Sequence, residues 1–178
     1  MDKTIAVFLS ARELPTIKIQ AIRVGELLGK KGFHVYYGGG NQGAMGALKD
    51  GVVSVGGVYT GVTTTRLLAD EFQGPMDPNT TVKKTMGERK DTMLYVAGTI
   101  LLLPGGFGSM DELFEALTYI QLNLIKAKVI IFDPEIEGAL KALFRVFTHR
   151  GTASRQDYEH VKFVSSLLEL ERELNNVA

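Results

Sequence analysis

Short apolar runs of β-type residues alternate with longer helical segments along the whole chain, a pattern that admits few folds beyond a parallel sheet wrapped by helices. Residues 4–9 read as a first strand. Residues 15–31 read as a helix, with Pro15 near its start and Gly32 just past its end. A strand over 34–37, a helix over 43–53 and a strand over 58–62 follow. Residues 63–80 are rich in Thr, Pro, Asp and Gly and read as loop around a short helical piece. The pattern then predicts a helix over 82–97, a buried strand over 99–103, a helix over 110–124, a strand over 129–132 and a helix over 137–150. A last strand over 160–164 precedes a charged terminal helix. With no internal repeat and no linker, residues 1–178 are expected to form a single domain. Its fold class is α/β, with one open, doubly wound, Rossmann-like parallel sheet.

Composition narrows the functions such a sheet could serve. Lys plus Arg and Asp plus Glu both number 20, so the formal charge is zero. A neutral chain lacks the basic field of a non-specific nucleic-acid binder, and no nucleic-acid partner is expected. There is no cysteine, hence no disulfide and no thiolate chemistry. The opening apolar run is too short to span a bilayer and no cleavage region follows it, so a soluble cytoplasmic protein without a membrane partner is expected. His34, His149 and His160 are widely separated, and none has a metal-ligand spacing, so no metal and no cofactor are expected.

In open α/β sheets ligands sit beyond the carboxyl ends of the strands, which directs attention to two glycine-rich turns. The first holds Gly38, Gly39, Gly40 and Gly43, with a helix opening at Gly43 whose free N–H groups suit a phosphate. Its competing reading is a tight turn that packs helix closely on sheet. No acidic residue ends the strand 58–62, against a dinucleotide site, and no GK[ST] follows either turn, against a P-loop. The second turn, Pro104-Gly105-Gly106-Phe107-Gly108-Ser109, joins a buried strand to an amphipathic helix and forms a run of backbone donors. Here S-x-x-E also fits a capping box, with Ser109 as N-cap and Glu112 as its partner.

Arg89 is the residue out of place. At 100° per residue Val82, Met86, Met93, Val96 and Ala97 form one apolar stripe, and Arg89 falls in its middle. A guanidinium turned inward needs an anion: a buried carboxylate, a phosphate, or an exit to solvent by snorkelling. Lys90, at the edge of the stripe, could reach the same site. Helical geometry does not choose among Asp111, Glu112 and Glu115 as the acidic partner in catalysis.

These strings, Tyr37-Gly38-Gly39-Gly40, Met86-x-x-Arg89-Lys90-x-x-Met93 and Pro104-Gly105-Gly106-Phe107-Gly108-Ser109-Met110-Asp111-Glu112, closely resemble the Lonely Guy family. Its members are cytokinin-activating nucleoside 5′-monophosphate phosphoribohydrolases, often labelled lysine decarboxylases. The resemblance runs from about Ile5 to Phe132. It implies release of a free base and ribose 5-phosphate from AMP or an N6-substituted AMP, without a metal, by a homodimer or larger homo-oligomer. It places the catalytic pair on Arg89 and Glu112. Substrate contacts fall on Glu71, Lys90, Gly106, Phe107, Gly108, Ser109 and Thr118, beside Gly105 and the first-turn glycines Gly39 and Gly40.

The chain departs from the family in places. Ser109 stands where Thr is usual, Gly87 where His is frequent, and Thr63-Thr64 near an expected Ile-Pro. The first strand runs Phe8-Leu9-Ser10-Ala11 into Arg12 instead of a Cys-Gly-Ser-Ser-like turn. These differences leave the phosphate and ribose machinery intact and bear on which base is released. The alternatives are a non-catalytic nucleotide-binding or carrier module of the same fold and a PLP-dependent decarboxylase.

Overall fold

Odd and even residues of each strand point to opposite faces, and this chain fills both faces with apolar side chains. A computed structural model describes residues 3–68 and 76–176. Its strands are β1 (Thr4–Phe8), β2 (His34–Tyr37), β3 (Val58–Thr64), β4 (Thr80–Lys83), β5 (Thr99–Leu102), β6 (Lys128–Ile131) and β7 (Val161–Phe163). They form one seven-stranded sheet in the order β4-β3-β2-β1-β5-β6-β7. Every pairing is parallel, with Val7 opposite Tyr37 on one side and Leu101 on the other.

Six helices cover the sheet among the described residues: α1 (Pro15–Lys30), α2 (Gly43–Ser54), α3 (Met86–Val96), α4 (Phe107–Gln121), α5 (Pro134–His149) and α6 (Leu167–Asn175). Ile5, Val7, Val35, Leu101 and Ile130 pack with Val24, Leu28, Leu48 and Leu170, which belong to α1, α2 and α6. Ala6, Phe8, Ile100, Leu102 and Ile131 pack on the other face with Met93, Leu113, Leu140 and Phe144 from α3, α4 and α5. This is the doubly wound α/β arrangement the alternation implies.

Two departures from the sequence pattern bear on the site. Val82 lies in β4 instead of opening a helix. Thr80, Thr81 and Val82 are β-branched and extend the sheet beside β3. Helix α3 starts at Met86 because Thr85 caps it, its hydroxyl accepting from the Glu88 backbone N–H at 3.1 Å. Helix α4 starts at Phe107, three residues early. Gly106 is its N-cap residue, and the first helical bond runs from the Met110 N–H to the Gly106 carbonyl. Ser109 therefore sits inside the first turn, and the capping box with Glu112 that the S-x-x-E string also allowed does not form.

Strand order reverses at β1, which has β2 on one side and β5 on the other. The loops that leave β1 and β5 part there and open a crevice. The Ser10 N–H donates to the Pro104 carbonyl at 3.1 Å and holds the two loops together at its floor.

Candidate active site

Above that junction lies a cavity of about 1010 Å³, at the upper end of the usual range for small-molecule sites. Three chain segments form most of its wall: the loop after β1 from Leu9 to Arg12, the turn after β5 from Pro104 to Ser109, and Asp133 to Glu135 at the start of α5. Arg89 and Glu112 reach it from α3 and α4.

Arg89 is 4% exposed and Glu112 8%. The guanidinium is accounted for on three sides. Nε donates to the Val62 carbonyl at 2.8 Å, Nη1 to Glu112 Oε1 at 2.8 Å, and Nη2 to the Gly38 carbonyl at 3.3 Å. Of the partners open to an inward arginine, the buried carboxylate is the one present. Burial pushes the Glu112 carboxyl above its ordinary range, and the Arg89 charge offsets that only in part. Oε1 is bound by Arg89, and Glu112 is among the residues that line the cavity.

Three consecutive residues of α3 bridge to α4. Beside the Arg89–Glu112 pair, the Lys90 ammonium contacts Asp111 at 2.9 Å and Glu115 at 2.8 Å. Burial alone would lower the Lys90 pKa, but those two carboxylates outweigh it and raise it. The Tyr119 hydroxyl donates to Asp91 at 2.7 Å, and that bond holds the phenol up at about 12. Lys90 is thus tied to α4 and does not line the cavity.

The two glycine turns serve different ends. Gly38, Gly39 and Gly40 are buried and none lines the cavity. A Cβ on Gly38 would overlap the Arg89 guanidinium, and one on Gly39 would press on the β3 backbone at Val62. Gly39 and Gly43 also hold positive φ, of 87° and 57°. The α2 N-terminus is occupied by the Glu13 carboxylate, which accepts from the Gly43 N–H at 2.7 Å. This turn packs helix on sheet, and its anion seat is filled from within the chain.

The second turn is open. A Cβ on Gly106 or Gly108 meets no atom within 4 Å, so the space beside both backbones is free for a ligand. Gly105 backs onto the Ser109 side chain, which is buried. Phe107 projects from the rim at 98% exposure. No side chain caps α4, so its first N–H groups face this space unpaired.

The structure thus brings together Arg89, Glu112, Gly105, Gly106, Phe107, Gly108 and Ser109 on one cavity. Gly39, Gly40 and Lys90 stand behind it. Thr118 is exposed on α4, its hydroxyl donating to the Phe114 carbonyl at 2.8 Å, and does not line the cavity. Glu71 lies outside the described residues. Sequence reasoning passed over Ser10, Arg12, Gln20 and the Asp133–Glu135 segment as lining residues. The loop after β1 could have been found from topology, since β1 flanks the reversal of strand order. Asp133 caps α5 through the Glu135 N–H, and burial raises its carboxyl pKa.

Among the described residues no group of three or more His, Cys, Asp or Glu could hold a metal ion. None of their helices is long and apolar enough to cross a membrane.

Comparison with known proteins follows the same lines. The sequence profile of a family described as possible lysine decarboxylase matches residues 45–174. A cytokinin riboside 5′-monophosphate phosphoribohydrolase of Mycobacterium marinum is 30% identical, over 92% of this chain and 89% of its own. One from Mycobacterium tuberculosis is 32% identical, over 75% of this chain and 72% of its own. A probable enzyme of that name from Oryza sativa is 31% identical, over 82% of this chain but 63% of its own length. Among solved structures, the molybdenum cofactor carrier protein of Chlamydomonas reinhardtii has a TM-score of 0.74 over 99% of this chain and 98% of its own, at 17% identity. The molybdenum cofactor binding protein of Rippkaea orientalis has a TM-score of 0.70 over 99% of both chains, also at 17% identity. At those identities the likeness is one of fold alone.

Proposed function

This chain belongs to the Lonely Guy family, whose profile bears the description possible lysine decarboxylase, and on that premise we propose that it hydrolyses the N-glycosidic bond of a nucleoside 5′-monophosphate. The products are a free base and ribose 5-phosphate, and AMP or an N6-substituted AMP is the substrate class. The observation that carries the reading is a buried carboxylate, Glu112, held at one oxygen by Arg89 and opening on a cavity beside an uncapped glycine turn.

Each part has a chemical use. Breaking the bond between C1′ and the base nitrogen develops positive charge on the ribose, and water must then reach C1′. Glu112 Oε2 can face that charge and accept a proton from the water, and a carboxyl of raised pKa works nearer neutral pH. Arg89 fixes the orientation of Glu112, so we assign it to positioning and charge balance. The N–H groups of Phe107, Gly108 and Ser109 offer the phosphate a seat at the start of α4.

A PLP-dependent decarboxylase would need a lysine to hold the cofactor as a Schiff base. No described residue lining the cavity is a lysine, so this site does not fit that group. We extend the proposal to a cytoplasmic homodimer or larger homo-oligomer that works without a metal.

The test is base release from AMP, N6-substituted AMP, GMP and CMP, followed chromatographically with Glu112→Gln as control. Release of base by the unmodified chain and its loss in the variant is the expected result. Tight AMP binding with no base release from any substrate would make this chain a carrier and overturn the enzymatic reading.

A further inference from the structure

A nucleoside monophosphate carries a phosphate of nearly two negative charges at neutral pH. The cavity offers it poor electrostatic company: Asp111 and Glu112 on the wall are already paired with Lys90 and Arg89, and Asp133 and Glu135 line it with no cation paired to them among the described residues. The helix N-terminus supplies about half a positive charge, too little to balance the unpaired carboxylates and a phosphate together. A cation is needed, and the described lining residues include only Arg89 and Arg12. Arg89 gives a donor from each of its three nitrogens to Glu112, Val62 and Gly38, and its charge is balanced by Glu112. Lys90 is committed to Asp111 and Glu115 behind the wall. Arg12 is exposed, and its guanidinium has no hydrogen-bond or ion-pair partner among the described residues.

We propose that Arg12 is the residue that meets the substrate phosphate, clamping it against the Gly106–Ser109 turn. The inference rests on the reading of this cavity as a nucleoside monophosphate site. The loop that carries Arg12 is set for the task. Ser10 binds the Pro104 carbonyl at the base of the turn, and the Arg12 N–H donates to Ser10 Oγ at 3.0 Å. Next in the chain, Glu13 binds the Gly43 N–H and is paired with Lys18 at 2.8 Å. The backbone is thereby anchored on both sides of Arg12 while its side chain stays free. A guanidinium can place two parallel N–H groups on two phosphate oxygens, which a lysine cannot do.

The experiment uses the full chain and calorimetry with ribose 5-phosphate, which has no glycosidic bond to break, and ribose as its uncharged counterpart. Arg12→Ala should weaken ribose 5-phosphate binding at least tenfold, leave ribose binding and thermal stability unchanged, and raise KM for AMP more than it lowers kcat. Arg12→Lys should recover part of the loss. Unchanged ribose 5-phosphate affinity in Arg12→Ala, with base still released from AMP by the unmodified chain, would overturn the role of Arg12 alone. An unmodified chain that neither binds ribose 5-phosphate nor releases base would overturn the functional reading and this inference with it.

Discussion

Glu112 lives where burial opposes its charge more than Arg89 supports it, since its pKa stands above the ordinary value with both acting. A neutral amide in the same place would still accept from Arg89 but would leave that buried guanidinium without its counter-charge. Glu112→Gln is expected to stay folded with a lowered thermal midpoint and to lose at least about a hundredfold in turnover, the lower range for a group that moves a proton. Near-normal turnover of the Gln variant would remove Glu112 from the chemistry. Arg89→Ala breaks the same pair from the other side. It leaves a buried carboxylate without its counter-charge, a loss of about 3–5 kcal/mol where the carboxylate stays ionised. The pH dependence has a definite sign. Removing Arg89 lifts the Glu112 pKa further above its unfolded value, so the destabilisation grows as pH rises through the folded pKa. It fades below the unfolded carboxyl range, where Glu112 is protonated in both states. Urea unfolding at neutral and at acid pH measures this, and adding Glu112→Gln to Arg89→Ala should recover much of the neutral-pH loss. A single variant as stable at neutral pH as the parent would mean that the pair does not hold the site together.

At the scale of elements, two strings of the same form part company. Thr85-x-x-Glu88 caps α3, whereas Ser109-x-x-Glu112 lies inside α4 with its glutamate turned to Arg89. Thr85→Ala should cost about 1 kcal/mol, as loss of an N-cap does, and should slow turnover because α3 carries Arg89. Ser109→Ala should leave α4 as stable as before and instead weaken AMP binding. Denaturant midpoints for the two variants decide the matter, and an equal loss in both would restore Ser109 as a cap. The alternation of strands and helices was legible because period-2 and period-3.6 patterns report burial directly. So was the inward Arg89, since a charge in an apolar stripe is visible in any helical projection. The partner of Arg89 was not legible, because Glu112 lies 23 residues away and only packing of α3 on α4 brings them together. The first glycine turn left two readings open for a similar reason. Glycine is needed there so that Arg89 and β3 can pass close by, and a sequence cannot distinguish a neighbour of that kind from a phosphate.

For the whole molecule, the crevice at the reversal of strand order is where ligand binding and folding are linked. A ligand that binds only the folded chain stabilises it by about 2.7 kcal/mol at a hundred times its dissociation constant. AMP at that excess should raise the unfolding temperature of the Glu112→Gln chain, and adenosine at the same concentration should raise it far less. Equal shifts would deny the phosphate its part. Self-association can be read by sedimentation velocity on the same sample, where a monomer at every concentration would contradict the proposed homo-oligomer. The anchoring of Arg89 reaches further still. Two of its three acceptors are main-chain carbonyls, at Gly38 and Val62, and mutation of a side chain does not delete a carbonyl. The residues around the crevice can therefore be exchanged over generations without unseating the arginine, provided that position 38 stays bare. Such a scaffold can change its ligand by small steps, each intermediate keeping a formed site, and selection can then explore new substrates on an unchanged frame.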